Sequence, residues 1–243
     1  MVRNYLVILI LAAVVLAFLL VRFVKTAQRL GSEGTPAASA IPDLSGVWIV
    51  RDYQVSIVPK EGPPFQPAGE AAYNKRLREL EKINADPDRE QDPAVACIPP
   101  GVPRTTVWPL PWELVQARDR VIIIYEYQSL VRQIPTDGRP HPKNIDSTYM
   151  GQSIGRYEGD TLVVDTVGFN DKTWMDLDGR LPHSDALHVV ERIHRVERNT
   201  LEDDFTFDDP KIFSQPWTAK RFFMLKPDWQ IHEYVCMENS KIK

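Results

Sequence analysis

The chain has 243 residues, of which 43% are hydrophobic, enough for the core of one large domain or two small ones. Residues 31–243 carry 25 of the 29 basic side chains and all 33 acidic ones, a net charge of −8. An acidic domain without a basic stripe argues against nucleic acid as a partner, and the apolar content argues against disorder.

The chain begins with an apolar run, YLVILILAAVVLAFLLV, at residues 5–21. Continued to residue 24, the run reaches the roughly 20 residues that a helix needs to cross a bilayer. A cleaved signal peptide is the alternative, but the A-x-A-like site at residues 38–40 lies far beyond the run. We therefore predict a single-pass anchor in residues 1–30 that binds the lipid bilayer through residues 5–24. A flexible tether follows at residues 31–41.

Two observations bear on the side of the membrane that the domain occupies. Three basic residues follow the apolar run of residues 5–21, against Arg3 and the amino terminus before it, a distribution that favours a cytoplasmic domain. The two cysteines, Cys97 and Cys236, favour the other side, because an even pair in an exported domain is typical of a disulfide. Two buried free thiols are the alternative. We expect a periplasmic domain.

Residues 42–243 are predicted to form one domain with a Pro-rich insertion at residues 59–104. A first strand is expected in PDLSGVWIV, residues 42–50. Within the insertion, AGEAAYNKRLRELEKI at residues 68–83 has apolar residues at near-helical spacing and predicts one helix. Its flanks contain prolines, which remove backbone donors and disfavour regular structure.

From Trp108 onward the pattern is β, with short apolar or alternating runs separated by turn residues. Counting the first strand, nine or ten strands are expected, which indicates an antiparallel meander. So many strands require closure to avoid exposed edges, and we predict an all-β, lipocalin-like up-and-down barrel or half-barrel. A two-sheet sandwich is the alternative. The predicted runs are WELVQ, VIIIYEY, LVRQI, YMGQSIGRY, TLVVDTVGF, DALHVVERIHRV, LEDDFTF, WTAKRFFML and WQIHEYVC.

Two resemblances support this fold. Gly46-x-Trp48 on the first strand resembles the opening signature of lipocalin-like (calycin) barrels. Nearly all of residues 42–239 is also similar to a group of bacterial hypothetical proteins. This second resemblance implies a common fold and an exported protein, and it implies no particular chemistry. The segments that carry it are CIPPGVPR, YEYQSLVRQIPTDGRPHP, MGQSIGRYEGDTLVVDTVGFND, HSDALHVVERIHRV and LKPDWQIHEYVCMEN.

HSDALHVVER, residues 183–192, raises the question of a catalytic face. Read as a strand, it places His183, Asp185 and Glu191 on one side. For Glu191 we expect a buried ion pair with Arg132 or Arg156 that fixes strand register. His183 and Asp185 lie near the strand's start, at the predicted rim, and are the candidate acid and base. The short spacing fits no compact metal motif, and no metal or other cofactor is predicted.

Several loop residues are candidates for ligand contacts. Two loops, DGRPHP at 137–142 and DGRLPH at 178–183, each combine an Asp-Gly turn with an arginine and a histidine. Either these are simple tight turns, or their polar groups bind an anion. GFNDKTWMD, residues 168–176, follows a strand and offers an amide, a carboxylate and an indole. The candidate ligand-binding residues are Arg139, His141, Asn170, Asp171, Trp174 and Arg180.

These patterns favour one function and leave two alternatives. The first is a membrane-tethered, lipocalin-like barrel that binds a small apolar or amphipathic molecule. The second is a cofactor-independent lyase, isomerase or hydrolase that uses His183 and Asp185. The third is an accessory subunit of a larger membrane protein complex. The G-x-S-x-G pattern at residues 151–155 falls inside a predicted strand, whereas a nucleophile elbow needs a strand-to-helix turn.

Overall fold

The structure is a computed structural model that describes residues 41–52, 57–59, 61–85 and 92–236. The predicted anchor, and residues 31–40 of the predicted tether, lie outside the described residues. In the part of the chain that is described, no helix combines the length and the apolar character needed to cross a membrane.

The described residues form nine strands and one α-helix, joined by loops and two short 3-10 turns. The prediction of an all-β domain with one helix in a Pro-rich insertion is confirmed. The elements are β1 (Gly46–Val50), α1 (Pro67–Ala85), β2 (Trp112–Gln116), β3 (Arg120–Tyr125), β4 (Val131–Pro135), β5 (Gln152–Glu158), β6 (Thr161–Val167), β7 (His188–Glu197), β8 (Thr200–Asp208) and β9 (Trp217–Leu225), with the 3-10 turns at Pro93–Ala96 and Tyr127–Ser129.

Two predicted strands differ from the structure. The strand containing HSDALHVVER begins at His188, so His183 and Asp185 lie in the loop before it. WQIHEYVC is not a strand. Its alternating pattern finds no partner, because β9 already pairs with β1 on one side and with β8 on the other.

All nine strands belong to one antiparallel sheet with the order β4-β3-β2-β1-β9-β8-β7-β6-β5. This is the chain order taken cyclically, because β9 pairs with β1. The sheet curls into a nearly closed barrel in which β4 and β5 are neighbours without a hydrogen-bonded ladder. The barrel prediction is confirmed, and the sandwich alternative is wrong because one sheet holds every strand.

The orientation of β4 relative to β5 follows from the number of strands. An odd number of strands cannot alternate in direction all the way around a barrel, so one neighbouring pair must run parallel. That pair is β4 and β5, which side chains join instead. Arg132 Nε donates to Ser153 Oγ at 2.9 Å, and Gly155 lies so close to Ile134 that a Cβ atom would stand 2.8 Å from its Cγ2.

The interior of the barrel is layered along its axis. One apolar cluster includes Trp48, Trp112, Ile193, Leu201 and Phe223. A second apolar cluster lies towards the other end and contains Phe169, Leu187, Val189, Phe205 and Phe207. Between them, each strand from β7 to β9 places one charged side chain inward, and β4 to β6 add further polar groups. The members of this polar layer are Arg132, Ser153, Thr166, Glu191, Asp203 and Arg221.

An ion pair lies within the polar layer. Arg132 Nη1 donates to Glu191 Oε1 at 3.0 Å and its Nη2 to Thr166 Oγ1 at 2.8 Å. A second hydrogen bond joins Arg132 Nη2 to Glu191 Oε2. Both charged groups are buried. The predicted pairing of Glu191 with Arg132 is confirmed, whereas Arg156 bonds to an exposed glutamate.

Candidate functional site

A cavity of about 330 Å³ lies between α1 and the loops that flank β7 and β8. We call it the His183 cavity. Its volume falls within the range of small-molecule sites. Apolar side chains alternate in its lining with hydroxyl, imidazole and charged groups. The lining consists of Ala72, Lys75, Arg76, Glu79, Asp171, Thr173, Trp174, Pro182, His183, Ser184 and Ile212.

Close contacts fix α1 against these loops. Gly69 approaches Ile212 so closely that a Cβ atom would come within 2.2 Å of the Ile212 backbone oxygen. Arg76 is buried and donates from Nε to the backbone oxygen of Gly179 at 2.7 Å. Its guanidinium also lies 4.6 Å from the ring centroid of Trp174. The helix therefore presents a defined face to the cavity.

The hydrogen bonds of His183 determine its tautomer. Nδ1 lies 3.1 Å from the backbone oxygen of Ser184, and a carbonyl only accepts, so Nδ1 carries the hydrogen. Burial lowers the pKa of His183 below its usual value, which favours the neutral ring at pH 7. Nε2 is then an acceptor, and the Thr173 hydroxyl donates to it at 3.0 Å. The lone pair of a buried imidazole thus accepts a hydrogen bond from a hydroxyl group, and both groups lie at the wall of a cavity.

The carboxylate of Asp209 fixes the backbone segment that orients His183. Asp209 is fully buried and accepts from the Ser184 amide at 2.6 Å and from the Ser184 hydroxyl at 2.7 Å. The Lys211 amide donates to the same group at 3.2 Å. Asp209 therefore fixes Ser184, whose carbonyl orients the His183 ring.

The charges in the lining are mixed. Lys75 and Glu79 lie one helical turn apart with 3.8 Å between Nζ and Oε1. Asp171 is exposed at the edge of the cavity, and Arg76 closes its inner side. An apolar wall of Trp174 beside charges of both signs suits an amphipathic ligand.

Three of the residues predicted from the sequence line this cavity, namely Asp171, Trp174 and His183. Asp185 does not. Its carboxylate is exposed and accepts from Lys211 Nζ at 2.5 Å. The two predicted catalytic side chains thus have separate partners, because the loop before β7 does not alternate as a strand would.

The remaining predicted ligand-binding residues have partners outside the cavity lining. The Asp-Gly turns behave as tight turns, with φ of +82° at Gly138 and +63° at Gly179. The observed partners are Asp137 for Arg139 at 2.5 Å, Asp165 for His141 at 2.9 Å, the Lys172 amide for Asn170 at 3.1 Å, and Asp178 for Arg180 at 3.3 Å.

Sequence reasoning missed Thr173, Ser184 and Asp209. Thr173 lies in the loop GFNDKTWMD and Ser184 in HSDALHVVER. Both are next to predicted site residues, so their position in the sequence could have identified them. Asp209 and the lining residues of α1 carry no local signal, because they reach the cavity only through the tertiary packing.

Two larger cavities lie against the C-terminal segment, residues 226–236. The first, about 530 Å³, is lined by Ile49, Pro109, Leu110, Pro111, Glu126, Asp228, Trp229, Gln230 and His232. The second, about 490 Å³, contains an aromatic wall of Trp108, Tyr127 and Tyr234. A disulfide joins Cys97 to Cys236 beside this second cavity. The alternative of two free thiols is therefore wrong.

Among the described residues, one group has the spacing of metal ligands. Ligand atoms of His194, Glu202 and Asp204 lie within 4.8 Å of one another. Lys220 Nζ is 2.5 Å from Glu202 and 3.2 Å from Asp204, so an ammonium already bridges the two carboxylates. A cation would compete with Lys220 for this position.

Comparison of the chain with models of protein families, with curated proteins and with solved structures found no match in any of the three.

Proposed function

We propose that this protein is a membrane-tethered, lipocalin-like barrel that binds a small amphipathic molecule in the His183 cavity. The observation that carries the proposal is the lining of that cavity, where Trp174 and Ile212 form apolar walls beside Lys75 and Asp171. A ligand with an apolar body and a polar group satisfies both kinds of surface.

The proposed ligand site lies outside the barrel interior, although a lipocalin-like barrel would be expected to bind its ligand inside. Along the barrel axis, two apolar clusters enclose a polar layer in which Arg132 bonds to three side chains. A ligand placed there would have to break the ion pair with Glu191. The loops and α1 offer space without that cost.

The location of the domain is part of the proposal. Residues 5–24 would anchor the chain, and the domain would lie on the periplasmic side. The disulfide between Cys97 and Cys236 supports this side, because disulfides persist in oxidising compartments and are rare in the cytoplasm. A domain tethered there is well placed to meet amphipathic compounds near the bilayer.

Titration with an anilinonaphthalene sulfonate dye, an amphipathic fluorescent probe, tests the binding site. We expect saturable binding at one site per chain, weakened at least about tenfold by Trp174→Ala through the loss of the aromatic wall. Trp229→Ala, in the 530 Å³ cavity, is the matched control and should leave affinity unchanged. Equal weakening by both variants, or by neither, would place the dye elsewhere and contradict the proposal.

A further inference from the structure

We propose that Thr173 and His183 are the nucleophile and the general base of a site that hydrolyses small carboxylic esters. This inference rests on the proposed function, because the ester must first occupy the His183 cavity. The predicted pair of His183 and Asp185 contained no nucleophile, whereas this proposal assigns that role to the Thr173 hydroxyl, which contacts the imidazole.

The geometry matches the requirement for an activated hydroxyl. A nucleophilic hydroxyl needs a neutral base within hydrogen-bond reach and a third group that orients the base. The Thr173 Oγ1 to His183 Nε2 distance is 3.0 Å, and the Ser184 carbonyl, held through Asp209, orients Nδ1. Both side chains line the cavity.

Two other serine hydroxyls, those of Ser184 and Ser153, lack this arrangement. The Ser184 hydroxyl donates to Asp209, a carboxylate that is buried behind it. Ser153, the serine of the G-x-S-x-G pattern, lies in the barrel interior and accepts from Arg132. Of these three hydroxyls, Thr173 is the one that donates to an imidazole.

The reaction balances with water as the second substrate. Thr173 Oγ1 attacks the ester carbonyl carbon while Nε2 of His183 accepts its proton. The tetrahedral intermediate then expels the alkoxide, which takes that proton from Nε2 and leaves as the alcohol. Water attacks the acyl-threonine, Nε2 accepts a proton from it and returns one to Thr173, and the carboxylic acid leaves.

The substrate class follows from the size and charge of the cavity. A volume of about 330 Å³ admits a short acyl chain with a small leaving group. Lys75 and Arg76 are the cationic groups of the lining and supply positive charge for the oxyanion. Glu79 and Asp171, also in the lining, disfavour a strongly anionic substrate, so an uncharged ester fits best.

The test measures hydrolysis of p-nitrophenyl butyrate by the full-length chain. We expect turnover that falls about 10²–10⁴-fold in His183→Gln and in Thr173→Val. Thr173→Ser should retain most of it, because it keeps the hydroxyl. His232→Gln, which changes an exposed histidine, controls for non-specific reaction with the ester and should have no effect.

Two further readouts separate catalysis from a structural role. After acid quenching, a butyryl group should be found by mass spectrometry on the peptide that contains Thr173, and not in Thr173→Val. The rate should rise through a pKa below the usual value for histidine and be flat above about pH 7. Burial is the largest cause of this lowered pKa, and the charges of Asp209 and Asp171 act in the opposite direction. Glu79, Lys75 and Arg76 are the other charged groups that line the cavity.

Binding of p-nitrobutyranilide, an amide analogue, distinguishes the two proposals. If the analogue binds but the ester is not hydrolysed, or if hydrolysis persists in His183→Gln, the catalytic inference is overturned and ligand binding stands. If neither compound binds in this cavity, the proposed function falls with it. Binding together with His183-dependent turnover supports both.

Discussion

Arg132 joins β4 to three other strands of the barrel by four hydrogen bonds, two of them to Glu191. In Glu191→Gln the guanidinium would stay buried without its counter-charge. We expect the free energy of unfolding to fall by about 3–5 kcal/mol, measured by urea denaturation. Glu158→Gln, which removes an exposed partner of Arg156 and Arg192, should change it by less than about 1 kcal/mol. Similar losses for both variants would contradict this role for the polar layer.

Asp203 lies in the same layer, fully buried, and neither of its carboxyl oxygens has a hydrogen-bond partner among the described residues. Burial, with the Glu191 charge as a smaller cause, raises its pKa well above the usual 3.8. Because the folded state holds this proton more tightly than the unfolded state, stability falls as the pH rises from about 4 through the raised pKa.

Asp203→Asn removes this dependence while preserving shape. We expect the variant to be more stable than the parent by about 1–3 kcal/mol at pH 8, with the difference shrinking towards pH 4. Urea denaturation at several pH values measures it. A difference that is constant with pH, or that grows on acidification, would show that Asp203 is ionised in the folded protein.

At the scale of the elements, α1 owes its position to Gly69, whose backbone touches the Ile212 backbone. Gly69→Ala favours a helix intrinsically, yet its Cβ atom would displace α1 from the loop. We expect a loss of about 1–3 kcal/mol in unfolding free energy and weaker dye binding in the His183 cavity.

The exposed Ala71 on the same helix is the matched position. Ala71→Gly should cost about 0.5–1 kcal/mol through helix propensity alone, with dye affinity unchanged. If Gly69→Ala instead stabilised the protein and left binding intact, the close contact between α1 and Ile212 would not position the cavity.

The strands were largely predictable from local pattern, and the exceptions have tertiary causes. From Leu187 onward, β7 alternates between buried and less buried positions as predicted. In the loop before β7, His183 contacts Thr173 and Ser184 contacts Asp209. These tertiary contacts prevent the strand conformation that the alternating sequence predicts. WQIHEYVC alternates as well, but both sides of β9 are already paired.

At the scale of the whole molecule, Cys97 and Cys236 close a loop with a sequence separation of 139 residues. A bridge of this length restricts the unfolded chain strongly. We expect the double variant Cys97→Ser and Cys236→Ser to lose about 2–5 kcal/mol of unfolding free energy. Reductant should destabilise the parent similarly and leave the double variant unchanged. Equal stability with and without reductant would mean that the two cysteines do not form the bridge.

The candidate site was only partly predictable from the sequence. His183, Asp171 and Trp174 were found because polar and aromatic residues cluster in the loops between strands. The opposite wall comes from α1, and Arg76 meets Gly179 across a separation of 103 residues. No local pattern contains that contact. Asp185 was predicted as the partner of His183, and in the structure it pairs instead with Lys211, which follows β8.

The most direct test of the account is native mass spectrometry of the full-length protein, extracted gently from its own membrane, for the parent and for Trp174→Ala. We expect the parent to carry one small molecule per chain, and Trp174→Ala to lose it while Trp229→Ala retains it. A bare parent chain, or an adduct that survives in Trp174→Ala, would contradict the proposal that the His183 cavity is the ligand site.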